Sequence, residues 1–421
     1  MTGSIHLLKY LIYQTSEWVE NVFMKRLVPF AKAIYDETEI EAVRDCLAHG
    51  WLGEGNLTEK FEKTFARYIG TEFACLVNSG SSANLLAIRA LNLKEGDKVL
   101  TCAGGFPSTL NPIWHSHLQV VAVDIDPITL NIDLDRVEEA IEKEKPKAII
   151  FAHTLGNPVD MDRLLALANK SGLQIVEDNC DALGSEFGGR KTGSFGDFST
   201  CSFYASHHIT LAGGGGIVTS NKLKDALRIK SLKEWGREQE EVGFEGDHGV
   251  YFDSISNGVP YDHRYSYSEM GYNFKVPEIM AAFGLVQMNR LEGFHIARRK
   301  NFTYLMERMR KFQDYFQYVE AHPKSLPSWF NFPVTLKDNV PFTRKELVEH
   351  LEKNGVRTRL FFGGNILKQS GFENLEVIKV GDFANADKVH RDSFLLGIHP
   401  SLSLGEMDYM VSVIENFIEK R

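Results

Sequence analysis

Four short stretches carry residue types at spacings that could do chemistry. In NSGSSAN, Asn78 to Asn84, a strand pattern gives way to a helix pattern. Backbone N–H groups at that helix start, with Gly80 allowing close approach and Ser81 and Ser82 offering hydroxyls, would seat an anion. In CAGGFPSTLNP, Cys102 to Pro112, two glycines and Phe106-Pro107 follow a strand and could hold a ring rigidly at a cleft rim, where a flat heteroaromatic ligand would stack. IVEDNCDALGS brings Glu177, Asp178 and Asp181 to the carboxyl end of a strand. A carboxylate buried there needs a cation, either a protonated pyridine nitrogen or a metal ion, and no histidine or cysteine stands at ligand spacing for the metal. The fourth stretch is STCSFYASHHITLAGGGGIVTSN, Ser199 to Asn221. Ser202 leads into a turn holding His207 and His208, and four consecutive glycines from Gly213 follow.

Each stretch also has a plainer reading when taken alone. Glycine-serine turns cap helices, Phe106 could be a core side chain, the acidic run could be a solvated loop, and a lone turn histidine is often polar surface. Their order and company point further. A phosphate seat, a stacking aromatic, a carboxylate for a pyridine nitrogen and a base above the ring make one site for pyridoxal or pyridoxamine phosphate.

The elements that must position these residues alternate along the chain. LTEKFEKTFARYIG places Phe61, Phe65 and Tyr68 on one helical face and ends at Gly70. FACLVNSG is a short apolar strand, and KVLTCAGG, QVVAVDID, KAIIFAHTLG and LQIVEDNC are further short strands rich in β-branched residues, mostly separated by helical segments. Such βαβ alternation predicts a mostly parallel sheet with ligand groups at the carboxyl ends of its strands. After the helix VPEIMAAFGLVQMNRL the pattern changes to a smaller α+β unit. There NFPVTL is a strand, Thr343 and Glu346 form a capping box, and LGEMDYMVSVIENFIEKR closes the chain. The expected organisation is an N-terminal extension over 1–29, a large α/β domain over 30–290 and a small domain over 291–421.

Composition sets outer bounds. A formal charge of −9 over 421 residues gives no basic footprint for nucleic acid. Cys46, Cys75, Cys102, Cys180 and Cys201 form no CxxC pair, which fits a reducing compartment, and cytoplasmic is the default expectation. The first 26 residues hold a brief apolar run broken by Lys9, read as an extra helix or extension. No stretch approaches the roughly 20 apolar residues of a membrane span.

LVNSGSSANLLA, GGFPSTLNP, AHTLGNP, EDNCDALGS, SFYASHHIT and GYNFKVPEIMAAFGL resemble, along nearly the whole chain, the sugar-aminotransferase-like proteins of the aspartate-aminotransferase fold. The likeness is to the nucleotide-sugar 3-dehydrases that make 3,6-dideoxyhexoses, sugars of lipopolysaccharide O-antigens. In the aminotransferase members a lysine stands where His207 stands here, and in the 3-dehydrase branch the residue is histidine.

The resemblance implies a pyridoxal-phosphate-dependent transferase of fold type I, its large domain built on a mostly parallel sheet. It implies that Asp178 pairs with the pyridine nitrogen and that Phe106 covers the ring. It places Asp181 near the ring hydroxyl, has Gly80, Ser81 and Ser202 bind the phosphate, and has Asn273 reach the phosphate of a neighbouring subunit in a homodimer. A lysine amine would bond to the cofactor aldehyde and histidine cannot, so free pyridoxamine phosphate is left to take up a nucleotide-linked 4-keto-6-deoxyhexose. His207, with an ordinary pKa of about 6.5, is a proton acceptor near neutral pH, with His208 as the alternative.

One branch of these enzymes finishes the reaction reductively, with an external electron donor and a two-iron cluster on four cysteines. Here Cys180 matches one such position, and WGREQEEVGF, where the other three belong, has none. The expectation is therefore no iron–sulfur cluster, completion by hydrolysis, and glutamate restoring the amine form. A reductive enzyme and a non-catalytic sensor remain as alternatives, and GDP, CDP and dTDP are all open as the nucleotide.

Overall fold

A computed structural model describes residues 27–238, 252 and 254–421. The N-terminal extension up to Arg26 lies outside the described residues, as do positions 239–251 and 253. Among the described residues eight strands form one sheet. Their spatial order is Phe73–Val77, Gly216–Ser220, Phe198–Ser202, Gln174–Asp178, Ala148–Ala152, Lys98–Cys102, Gln119–Val123 and Val377–Val380. Gly216–Ser220 runs antiparallel to both neighbours, and the pairs from Phe198–Ser202 onward are parallel. Val99, Leu100, Val120, Val121, Ile149 and Ile150 are fully buried, the near-continuous apolar run that a parallel sheet flanked by helices requires. The stretches from FACLVNSG to LQIVEDNC all contain strands of this sheet, each ending earlier than its stretch, and Asn56–Ile69 is the helix that buries Phe61 and Phe65.

Glu278–Met309 is a helix of 32 residues that runs well past residue 290. It leads to a four-stranded antiparallel sheet of Phe316–Gln317, Asn331–Leu336, Ser393–Gly397 and Thr358–Leu360. The capping box forms: Thr343 Oγ1 accepts from the Glu346 N–H, and the Glu346 carboxylate accepts from the Thr343 N–H at 2.8 Å. Leu404–Ile418 is the closing helix. Val377–Val380, which the sequence pattern does not announce, returns to pair with Gln119–Val123 at the edge of the large sheet. One continuous apolar core accordingly includes Val121 and Ile149 of the large sheet and Phe332 and Leu396 of the small one.

Candidate active site

A cavity of about 690 Å³ lies where the strand ends of the large sheet face residues from the small one. It falls within the size range of cofactor pockets. Gly80, Ser81, Phe106, Asp178, Asp181, Ser202 and His207 all line it. Seven of the eight residues expected from sequence are therefore brought together.

Side chains alternate along a strand, and this separates the neighbouring acids of Gln174–Asp178. Glu177 does not line the cavity. It is fully buried and accepts from the N–H groups of Gly193, Phe195 and Gly196 at 2.8, 2.7 and 2.7 Å. His153 joins it: Nδ1 accepts from the Val159 N–H, so Nε2 donates to Glu177 at 3.0 Å. Glu177 thus ties down a loop, and only Asp178 and Asp181 of the acidic run reach the site.

Asp178 is 4% exposed. Its Oδ2 accepts from Asn84 Nδ2 at 2.8 Å and Thr109 Oγ1 at 2.7 Å, and its Oδ1 accepts from the Cys180 N–H at 3.2 Å. Among the described residues no lysine, arginine or histidine forms an ion pair with it. A buried, oriented carboxylate with no protein cation is suited to a positively charged ligand atom. Burial, reinforced by the charge of Asp178, pushes the neighbouring Asp181 carboxyl up to about 8. Asp181 therefore keeps its proton at neutral pH and can donate it in a hydrogen bond.

The anion seat is built from two elements. Ser79 caps the helix Gly80–Ala90, its Oγ accepting from the Ser82 N–H at 3.1 Å. Ser82 turns its hydroxyl to Asn78 Oδ1 at 2.7 Å and does not line the cavity. Ser202, at the end of Phe198–Ser202, closes the other side. Gly80 must be glycine, because a Cβ there would stand 2.6 Å from the Ser202 Cβ. The glycine run serves the same seat: a Cβ at Gly216 would lie 2.3 Å from the Ser79 main chain.

Phe106 is 54% exposed at the cavity wall, edge-on to Phe362 with centroids 6.2 Å apart, so it is a rim residue and not a core one. Asn273 is exposed and does not line this cavity. Its neighbours are pinned, the Tyr272 N–H donating to Leu232 O at 2.7 Å and the Phe274 N–H to Lys233 O at 3.1 Å.

His207 follows Phe198–Ser202 through a tight turn in which its N–H donates to Tyr204 O at 2.9 Å. Its Nδ1 donates to Cys180 O at 2.9 Å, its ring stacks on Phe330 at 4.9 Å and 16°, and Asp181 Oδ1 is 3.9 Å from Nδ1. A carbonyl can only accept, so Nδ1 carries the proton and Nε2 keeps the lone pair. Burial lowers the imidazole to about 4, with Arg298 adding to the shift against the Cys180 carbonyl, so the ring is neutral across the physiological range. His208 is buried, donates from Nε2 to Ser328 O at 2.8 Å and does not line the cavity.

Sequence reading missed several contributors. Asn84 lies one helical turn beyond Gly80, and Thr109 lies within the FPSTLNP stretch, so both were within reach of a spacing argument. Phe330 stands just before the small-sheet strand Asn331–Leu336 and Arg359 lies in Thr358–Leu360, and no local pattern ties them to His207.

The lining fits a phosphorylated pyridine. The seat would take a phosphate, Phe106 lines the same cavity, and the Asp178 carboxylate would suit a protonated ring nitrogen.

Similarity to known proteins agrees with this geometry. The lipopolysaccharide biosynthesis protein RfbH of Salmonella typhimurium is 40% identical over 93% of this chain and 92% of its own. The dTDP-4-dehydro-2,6-dideoxy-D-glucose 3-dehydratase of Saccharopolyspora spinosa is 40% identical over 92% of this chain and 86% of its own. A crystal structure of GDP-4-keto-6-deoxymannose-3-dehydratase with a trapped PLP-glutamate geminal diamine superposes with a TM-score of 0.83 at 28% identity, covering 92% of this chain and 99% of that one. Residues 33–415 match the sequence family as a unit, and the chain belongs to the DegT/DnrJ/EryC1/StrS aminotransferase family.

Proposed function

We propose that the chain is a pyridoxamine-phosphate-dependent 3-dehydratase that removes the C3 hydroxyl of a nucleotide-linked 4-keto-6-deoxyhexose in deoxysugar biosynthesis. The observation that carries this is His207 in the cavity wall, with Nε2 left as the basic nitrogen, in a described lining that contains no lysine. When bound, the coenzyme supplies an amine for the sugar ketone and a conjugated ring that accepts electrons.

The chain's own groups do the rest. Gly80, Ser81 and Ser202 would bind the phosphate, and Phe106 would cover the ring. Asp178 would pair with the ring nitrogen and favour its protonated form, and protonated Asp181 would donate toward the ring hydroxyl. His207 Nε2 would serve as the base and, once protonated, as the acid toward the departing C3 hydroxyl. Asn273, exposed and pinned on both sides, completes the phosphate seat of a second copy, which makes the enzyme a homodimer with shared sites. Residues 30–290 act as the coenzyme-binding part, and 291–421 close the cavity with Phe330, Arg359 and Phe362.

Completion is hydrolytic, with glutamate returning the amine. The solved relative holding a PLP-glutamate geminal diamine supports that donor. Cys180 is the one thiol in the described lining, and a two-iron cluster takes four ligands. Five free cysteines fit a cytoplasmic setting, and no helix among the described residues is long and apolar enough to cross a membrane.

The test is to supply the protein, loaded with pyridoxamine phosphate, with GDP-, CDP- and dTDP-linked 4-keto-6-deoxyhexoses and to weigh the product. Loss of oxygen at C3 without an added electron donor is expected. No deoxygenation with any of them would overturn the reading, and a strict need for an electron donor would replace hydrolysis with reduction.

A further inference from the structure

Arg298 projects from the helix Glu278–Met309 and is 2% exposed. A buried guanidinium is costly and is ordinarily matched by a carboxylate. Among the described residues none forms an ion pair with it. It donates instead to main-chain oxygens: Nη1 to Phe330 O at 2.9 Å and to Trp329 O at 3.4 Å, and Nη2 to His207 O at 3.5 Å. Those carbonyls belong to both members of the His207–Phe330 stack and to the residue beside it. One rigid fork therefore spans two parts of the chain that carry the stacked rings.

We propose, resting on the function above, that Arg298 is a positioning residue for the reaction: its guanidinium fixes His207 against Phe330 and presents a permanent positive charge to the imidazole from behind. The surroundings agree. Four histidines feel that charge, and in each of His207, His208, His295 and His399 it works in the same direction as burial, toward the neutral ring. From the cavity side His207 faces the Asp178 carboxylate and the Cys180 carbonyl, which pull toward the protonated form, and the protonated Asp181 carboxyl 3.9 Å from Nδ1. The fixed cation opposes the Asp178 carboxylate and keeps Nε2 available to accept a proton.

Arg298 and His208 also line a cavity of about 10 Å³ behind His207, room for one water. The Nε–H of Arg298 and Nδ1 of His208, a donor and an acceptor, are the two buried atoms there without a protein partner. A water bridging them would give the Arg298 Nε–H an acceptor and His208 Nδ1 a donor.

Wild-type turnover of a 4-keto sugar tests the functional reading by itself, and the variants then test this inference. Compare Arg298→Met and Arg298→Lys with wild type, each loaded with pyridoxamine phosphate, by the pH dependence of kcat and by NMR titration of ¹⁵N-labelled histidine. In Arg298→Met the His207 titration and the acid limb of kcat are expected to move up by about one pH unit. An unmoved or downward titration overturns the proposal, whatever the rate. In Arg298→Lys, which keeps charge but loses the fork, kcat is expected to fall about tenfold or more with KM nearly unchanged. If Arg298→Met does not fold, that split decides: full kcat in Arg298→Lys overturns the proposal.

Discussion

Nδ1 of His207 lies 2.9 Å from the main-chain oxygen of Cys180, and that contact settles which ring nitrogen is basic. The residue that would serve as base thus has its tautomer dictated by the backbone of the acidic loop that also carries Asp178 and Asp181. The tautomer comes from that short segment, while burial, the Phe330 ring and Arg298 act on the same imidazole from elsewhere in the chain.

His207→Asn keeps a donor for Cys180 O and loses the base. C3 deoxygenation should fall by about 10²–10⁴-fold while coenzyme binding persists. Single-turnover product analysis, with coenzyme absorbance as the binding control, checks both halves.

Asp178→Asn should weaken coenzyme binding by about 10²-fold, since breaking a buried charge pair costs several kcal/mol. The amide oxygen still accepts from Asn84 and Thr109, and only the 3.2 Å bond from the Cys180 N–H is lost, so the fold should persist. Equilibrium dialysis of pyridoxamine phosphate, with thermal melting alongside, separates lost affinity from lost structure.

Two opposite pH dependences should appear in the stability of the coenzyme-free protein. Folded Asp181 holds its proton to about 8 against an ordinary value of 3.8, so between those values the folded state binds more protons and stability falls as pH rises. Folded His207 titrates at about 4 against an ordinary 6.5, so between those values the unfolded chain binds more protons and stability falls as pH drops. Asp181→Asn should raise the melting temperature at pH 8 and change it little at pH 4. His207→Asn should flatten the decline on the acid side, and denaturant titrations across pH would expose a wrong sign in either.

Gly80→Ala puts a methyl group 2.6 Å from the Ser202 Cβ. The two elements of the seat must part, at a cost of about 1–3 kcal/mol, and phosphate binding should weaken with them. Adding Ser202→Gly removes the opposing carbon. It should restore most of the stability without restoring affinity, since the hydroxyl is lost too.

Much of this molecule is legible in its residues because local rules and the fold agree. LTEKFEKTFARYIG announces its helix by the spacing of Phe61 and Phe65, and the Thr343–Glu346 box is written in four residues. The seat at Gly80 and the turn at His207 follow strand patterns, so their place at strand ends could be read in advance. What escaped is long-range. Glu177 looks equivalent to Asp178 until strand alternation assigns it another face and three loop N–H groups. Phe330, Arg359 and Arg298 join the site only through folding of the small sheet and the long helix. Neither periodicity nor motif spacing encodes a contact across roughly 90 residues or more, as between Arg298 and His207.

Val377–Val380 lies against Gln119–Val123 at the margin of the main sheet. A chain ended anywhere before that segment would leave a bare ladder of amides and carbonyls facing water, ready to stick to another copy. Shortened versions made for crystallisation or fusion should therefore clump even when every residue around the coenzyme is retained, and the tail beyond residue 377 belongs in any usable fragment.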